Sequence, residues 1–149
     1  MGFWNLRRIG SAMDVGLQRA AELNLDIFFL AEVHLDKDRD GILQAKRHAG
    51  YERVSSLIEG IKVVAYVARE LMGSMVVLWE NNNIVVVKVG DLQVGGVYWQ
   101  PAWRTEETKG RLTELGQRLG DGKRVVIGDW NAVTVTLAMM RVRSRKCGL

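Results

Sequence analysis

Several residue types and patterns are scarce in this chain, and each scarcity excludes a class of protein. There is a single cysteine, Cys147, so no disulfide can form within the chain, which agrees with a reducing compartment. No apolar run is long enough to span a membrane, and the first residues lack the charged-then-apolar pattern of a signal peptide. We therefore expect a protein without a membrane segment that works inside the cell, in the nucleus or the cytoplasm.

An excess of positive over negative charge is found only at the C-terminal end. The net charge is +4, and Arg141, Arg143, Arg145 and Lys146 account for all of it, because residues 134–149 contain no acidic side chain. The remainder is near neutral, so its composition gives no strong support for a basic nucleic-acid-binding face. We predict a folded domain over residues 1–132 and a basic tail over residues 133–149. A solvated terminus is the favoured interpretation of that tail, and phosphate contact is the alternative.

The chain of 149 residues contains one proline and suits a single domain. Apolar periodicity predicts one helix from Ser11 to about Asn24, with Asp14 as the capping-box partner of Ser11. A second helix is predicted to begin with Thr105 as its cap and to end near Gly120. Apolar and β-branched runs predict strands at residues 2–6, 25–31, 51–58, 61–68, 75–79, 84–89, 92–99 and 123–128. This order predicts an α/β fold with a mixed, mostly antiparallel sheet and helices on one face.

Polar side chains stand at the ends of four of these strands. Asn5 lies near the end of the first, Glu32 follows residues 25–31, Tyr98 lies in residues 92–99, and Asp129 and Asn131 follow residues 123–128. Polar groups just past the carboxyl ends of strands are where open α/β sheets bind ligands. Taken alone, residues 128–131 are typical of an Asx turn. The matching ends of the other strands favour a functional site.

These residue types suit the hydrolysis of a phosphodiester. Glu32 could hold Mg²⁺, or Mn²⁺ in its place, because Mg²⁺ takes one or two carboxylates and keeps several waters. The metal could polarise a phosphoryl oxygen, and Asp129 could orient or deprotonate an attacking water. Asn5, Tyr98 and Asn131 could donate hydrogen bonds to the charge that builds on the phosphate oxygens.

At these residues the chain resembles the endonuclease/exonuclease/phosphatase superfamily, which includes pancreatic deoxyribonuclease and abasic-site endonucleases. The resemblance is greatest to the endonuclease domain of non-LTR retrotransposons. It implies the N-terminal part of a four-layer α/β sandwich, with the active site at one end of two stacked sheets. The matching segments are Phe3-Trp4-Asn5, Asp26-Ile27, Leu30-Ala31-Glu32, His34-Leu35, Val97-Tyr98, Pro101 and Ile127-Gly128-Asp129-Trp130-Asn131-Ala132.

The resemblance also implies roles for the site residues. In the superfamily the residue matching Glu32 binds the metal and the one matching Asn5 lies beside it. The residues matching Tyr98, Asp129 and Asn131 line the phosphate site. These roles imply a metal-dependent DNA endonuclease with DNA as its partner, and an inositol-lipid phosphatase or a repair nuclease is the alternative within the superfamily.

The resemblance ends at Ala132. Superfamily members continue to a Ser-Asp-His signature, whereas this sequence has no histidine beyond His48. We therefore interpret the chain as truncated and expect it to be weakly active or inactive by itself.

Two further interpretations concern binding. Trp103 and Arg104 are candidate substrate contacts, because they follow the strand that carries Tyr98 and because tryptophan stacks on nucleobases. Packing in the core is the alternative for most of the tryptophans.

The alternative to an enzyme is a catalytically dead remnant or a small α/β interaction module. Half a sandwich would leave a valine-rich sheet face uncovered, which predicts self-association or a partner.

Overall fold

A computed structural model describes residues 1–131, and the predicted tail lies outside them. Helix α1 spans Ala12–Glu22, helix α2 spans Thr105–Arg118, and a short 3₁₀ helix spans Arg69–Ser74. None of the helices within residues 1–131 is long and apolar enough to cross a bilayer. The strands are β1 (Gly2–Asn5), β2 (Ile27–Ala31), β3 (Asp36–Lys37), β4 (Leu43–Gln44), β5 (Tyr51–Arg53), β6 (Val63–Ala68), β7 (Met75–Glu80), β8 (Ile84–Val89), β9 (Leu92–Trp99) and β10 (Lys123–Trp130).

Eight of these strands form two four-stranded sheets. The strand order is β1-β2-β6-β5 in the first sheet and β10-β9-β8-β7 in the second. In each sheet one edge strand runs parallel to its neighbour, β1 beside β2 and β10 beside β9. The remaining pairs are antiparallel. The edge strands β1 and β10 contact each other across the sheets, so the two parallel pairs lie together.

The sheets stack face to face, and each carries a helix on its outer face. Valines of β6 and β8 meet Phe29 of β2 in the core between the sheets. Helix α1 packs Met13 and Leu17 on the outer face of the first sheet. Helix α2 packs Leu115 and Leu119 on the outer face of the second. The resulting helix–sheet–sheet–helix arrangement confirms the predicted α/β sandwich.

Burial on both faces explains the unbroken apolar runs. All five residues of β2 are buried, as the run over residues 25–31 predicted. Val85, Val86 and Val87 of β8 are buried too, so the valine-rich face expected to be open is covered here. Within the two sheets, the exposed large apolar side chains are Val76 and Leu78 of β7 and Val125 of β10, both of which are edge strands.

Gly96 of β9 faces the ring of Phe29 across the core between the two sheets. A methyl group at this position would lie 2.1 Å from Cδ1 of Phe29, well inside van der Waals contact. Glycine is therefore required here by the ring that the first sheet inserts into the core.

Both helices lie where the periodicity predicts them, but their N-termini differ from the prediction. Ser11 has helical backbone angles (φ −79°, ψ −13°), and its side chain makes no capping hydrogen bond. The predicted capping box with Asp14 is therefore wrong, since a capping side chain needs an extended backbone at that residue. Helix α2 is capped at Arg104 rather than Thr105, and the Arg104 N–H donates to Oε2 of Glu107 at 3.0 Å.

Candidate active site

Asn5 joins the two sheets at the end of β1. Its Nδ2 donates to Oε1 of Glu32 at 3.2 Å and to Oδ2 of Asp129 at 2.7 Å. Its Oδ1 accepts the backbone N–H of Arg7 at 2.8 Å, which fixes the orientation of the amide. A primary amide offers two donor hydrogens, so one side chain can bridge two carboxylates. Asn5 thereby holds the carboxylates of both sheets together.

Glu32 follows directly after β2, where the chain turns away from the sheet. Its φ of +48° lies in the left-handed region, which ends the strand. Its backbone N–H donates to the carbonyl of Lys62 at 2.8 Å, and its own carbonyl accepts the N–H of Arg8 at 2.8 Å. The position of Glu32 is therefore fixed from both sides by main-chain hydrogen bonds.

Tyr98 of β9 reaches across from the second sheet. Its hydroxyl donates to Oε1 of Glu32 at 2.5 Å, and its side chain is almost fully buried. Burial, the hydrogen bond to Glu32 and the nearby carboxylates of Glu32 and Asp129 together raise the pKa of Tyr98 to about 12. The hydroxyl therefore keeps its proton and remains a donor at neutral pH.

The hydrogen bond from Tyr98 is also the main cause that lowers the pKa of Glu32. Burial opposes this effect, whereas the amide of Asn5 and the positive charges of Arg8 and Lys62 reinforce it. Glu32 is therefore a carboxylate at neutral pH, as a metal ligand must be.

The donor set of this cluster fits Mg²⁺. Within residues 1–131 no three acidic, histidine or cysteine side chains form a closed metal cage. Mg²⁺ does not need one, because it binds through one or two carboxylates and keeps water in its other positions. Glu32 supplies one carboxylate, and the carboxylate of Asp129 accepts a hydrogen bond from the same Asn5 amide.

Asn131 lies apart from this cluster. Its Nδ2 donates to the carbonyl of Trp99 at 3.0 Å and so fastens the end of β10 to the end of β9. Its predicted contact with phosphate stays a prediction.

Trp103 and Arg104 also lie apart. The ring of Trp103 packs edge-on against Trp99, with centroids 4.9 Å apart, and the guanidinium of Arg111 lies over it. Trp103 thus belongs to the apolar cluster under α2, which is the core alternative left open by the sequence. Arg104 is exposed at the start of α2. A substrate contact through either residue stays a prediction.

The sequence did not point to Arg8 or Lys62 as functional residues. They lie 54 positions apart and share no motif, and only the backbone hydrogen bonds of Glu32 place them on either side of it. Arg8 has a φ of +58°, in the left-handed region, and no pattern in the sequence predicts this conformation.

The helix–sheet–sheet–helix sandwich that the resemblance implied is also found in solved structures of other proteins. The chain is similar to the endonuclease domain of TRAS1, a telomere-specific non-LTR retrotransposon, with a TM-score of 0.68 and 20% identity over 89% of this chain. It is also similar to an AP endonuclease from Archaeoglobus fulgidus, with a TM-score of 0.55 and 18% identity over 86% of this chain.

These likenesses show the fold. The chain spans 58% of the TRAS1 domain and 55% of the AP endonuclease. No family model and no curated protein matches the sequence.

Proposed function

We propose that this chain carries the site of a Mg²⁺-dependent DNA endonuclease, of the kind found in non-LTR retrotransposons. The observation that carries the proposal is the bridge from Asn5 to both Glu32 and Asp129, with Tyr98 donating to Glu32. Four strands from two sheets supply these groups. The two similar solved structures are both described as endonucleases, which supports the same chemistry here.

In the proposed reaction the metal, when bound, polarises a phosphoryl oxygen of the substrate. Glu32 holds the metal, because its carboxylate is ionised and its backbone is fixed. Asp129 orients a water and accepts its proton. Asn5 and Tyr98 position the two carboxylates, since their donor hydrogens point at them. Asn131 donates one amide hydrogen to the carbonyl of Trp99 and would donate the other to phosphate.

Nicking of supercoiled plasmid DNA tests this proposal. We expect slow nicking that needs Mg²⁺, that Mn²⁺ also supports, and that stops in EDTA. Glu32→Gln should remove it, and Asp129→Asn should slow it by about 100-fold or more, as loss of a general base does. Glu22→Gln, an exposed carboxylate on α1 paired with Arg19, is the matched control and should nick like the wild type.

Two outcomes would decide against parts of the proposal. Nicking that persists unchanged in both site variants would place the chemistry elsewhere and overturn it. Fast nicking that Glu32→Gln abolishes would support the site and contradict the expectation that the chain is weak by itself.

The second candidate is a non-catalytic interaction module. It is favoured by β10, whose residues are exposed or half-buried although Val125-Val126-Ile127 is apolar. Within residues 1–131 this strand pairs on one side only, with β9. Self-association through this edge predicts a sedimentation coefficient that rises with protein concentration. A monomer at all concentrations, with no binding of an apolar dye, would contradict it.

A further inference from the structure

An open cavity of about 230 Å³ adjoins Glu32 on the first sheet's side of the site. It lies among the β3–β4 hairpin, the turn before β6 and the segment after β1. The side chains that decide its chemistry are Arg8, Glu32, His34, Leu43, Ile58 and Lys62.

The rim of this cavity is cationic. Arg8 and Lys62 stand on either side of Glu32, because their main chains bond to its carbonyl and N–H. Among the described residues neither side chain has an acidic partner within 4.0 Å, although both act on Glu32 from farther away. Once Glu32 is committed to a metal ion, the two cations are left to attract another anion.

The floor of the cavity is apolar. Val33 and Ile61 are buried beneath it, and Leu43 lies beside them. Ile58, which also lines the cavity, is 45% exposed. The volume lies below the roughly 300–1,000 Å³ of pockets for drug-sized ligands, so it suits a single ring system.

We propose that this cavity binds the nucleotide next to the phosphate held at Glu32, with its base on Leu43 and Ile58 and its own phosphate between Arg8 and Lys62. An apolar floor under a cationic rim fits a nucleotide, whereas a phosphorylated polyol would leave Ile58 uncovered. The inference rests on the proposed function and specifies its substrate as a nucleic acid strand. It also places the substrate contact away from Trp103 and Arg104.

Binding of a fluorescein-labelled dT₁₂ oligonucleotide with hydrolysis-resistant phosphorothioate linkages, measured in Mg²⁺, tests the cationic rim without cleavage. The double variant Arg8→Ala/Lys62→Ala should weaken binding about tenfold. It should also make the dependence of log K on log salt less steep by roughly 0.7, as expected when one phosphate contact is lost on a single strand. Lys88→Ala/Arg47→Ala removes the same charge from exposed positions that do not line the cavity and should change neither value.

A second probe tests the apolar floor. An all-abasic 12-mer of the same charge should bind the wild type about threefold to tenfold more weakly than dT₁₂. Ile58→Ser should reduce the ratio of the affinities for dT₁₂ and the abasic 12-mer, because the base would lose apolar contact. Val76→Ser, at another exposed apolar residue, on β7, is the control and should leave this ratio of affinities unchanged.

The outcomes separate this inference from the proposed function. If the wild type binds and nicks DNA but the Arg8→Ala/Lys62→Ala variant binds like its control, the cavity is not the subsite and the proposed function stands. Equal binding of dT₁₂ and the abasic 12-mer by the wild type would also overturn the cavity's role. If the rim and floor variants behave as expected but no protein nicks DNA, the cavity stands and the catalytic proposal falls. If the wild type neither binds nor nicks DNA, both the cavity inference and the proposed function are wrong.

Discussion

The two carboxylates of the candidate site are held by strands with very different surroundings. β2, which leads to Glu32, lies between β1 and β6, and all five of its residues are buried. β10, which carries Asp129, is an edge strand among the described residues, and none of its residues is fully buried. The chain therefore anchors Glu32 by packing and Asp129 mainly by pairing with a single neighbour.

Asn5 compensates for this difference. The amide that bonds Glu32 also bonds Asp129, and the shorter of the two distances, 2.7 Å, is the one to Asp129. Asn5, which belongs to the well-packed first sheet, thus positions Asp129 on the less supported strand β10. Three measurements test whether β2 is better supported by its surroundings than β10.

The largest expected effect is on the free energy of unfolding when the two strands are truncated in turn. Leu30→Ala removes a fully buried side chain from β2 and should cost about 2–5 kcal/mol. Val125→Ala removes a side chain that is 36% exposed on β10 and should cost less than about 1 kcal/mol. Urea unfolding of both variants measures the difference, and equal losses would mean that β10 is as well supported as β2.

A smaller effect is expected where β9 faces β2. Gly96→Ala would push a methyl group into the ring of Phe29 and should cost about 1–3 kcal/mol. Gly110→Ala in α2 meets no atom within 4 Å and should instead stabilise the protein by roughly 0.5–1 kcal/mol. Thermal unfolding of the pair checks the opposite signs. A neutral Gly96→Ala would show that the sheets can separate easily.

The smallest effect concerns the pKa of Glu32. Tyr98→Phe removes the main cause that lowers this pKa, so the pKa should rise towards its ordinary value of 4.5. The lowered pKa stabilises the folded protein above pH 4.5, and that contribution disappears as the pH falls through the folded-state pKa. The stability difference between Tyr98→Phe and the wild type should therefore shrink in acid.

Carbon NMR titration of the glutamate carboxyls measures this shift. Tyr51→Phe is the control, because Tyr51 is also buried but its hydroxyl bonds the carbonyls of Ala20 and Leu25. It should leave the pKa of Glu32 unchanged. An unshifted pKa in Tyr98→Phe would mean that the hydroxyl contributes little to the ionisation of Glu32.

Much of the fold could be predicted because local patterns and tertiary packing agree. Strands β8 and β9 have the predicted bounds, since β-branched runs end at clear turns. The strand predicted over residues 51–58 ends at Arg53 instead. There the hydroxyl of Ser55 accepts the N–H of Ala65 and takes the place of a backbone partner, which no periodicity could indicate.

Part of the candidate site could also be predicted, because there too the local pattern agrees with the tertiary structure. Polar residues at strand ends identified Asn5, Glu32, Tyr98 and Asp129, and the structure brings these four within hydrogen-bonding distance. Their chemical roles stay predictions.

The amino-acid sequence by itself determined which strands and helices form and which polar groups end the strands, because those depend on neighbours a few residues apart. Only the tertiary structure decided that one amide bridges two carboxylates and that two cations flank Glu32. Those contacts join residues up to 124 positions apart, and they depend on how two sheets stack and where the backbone turns left-handed.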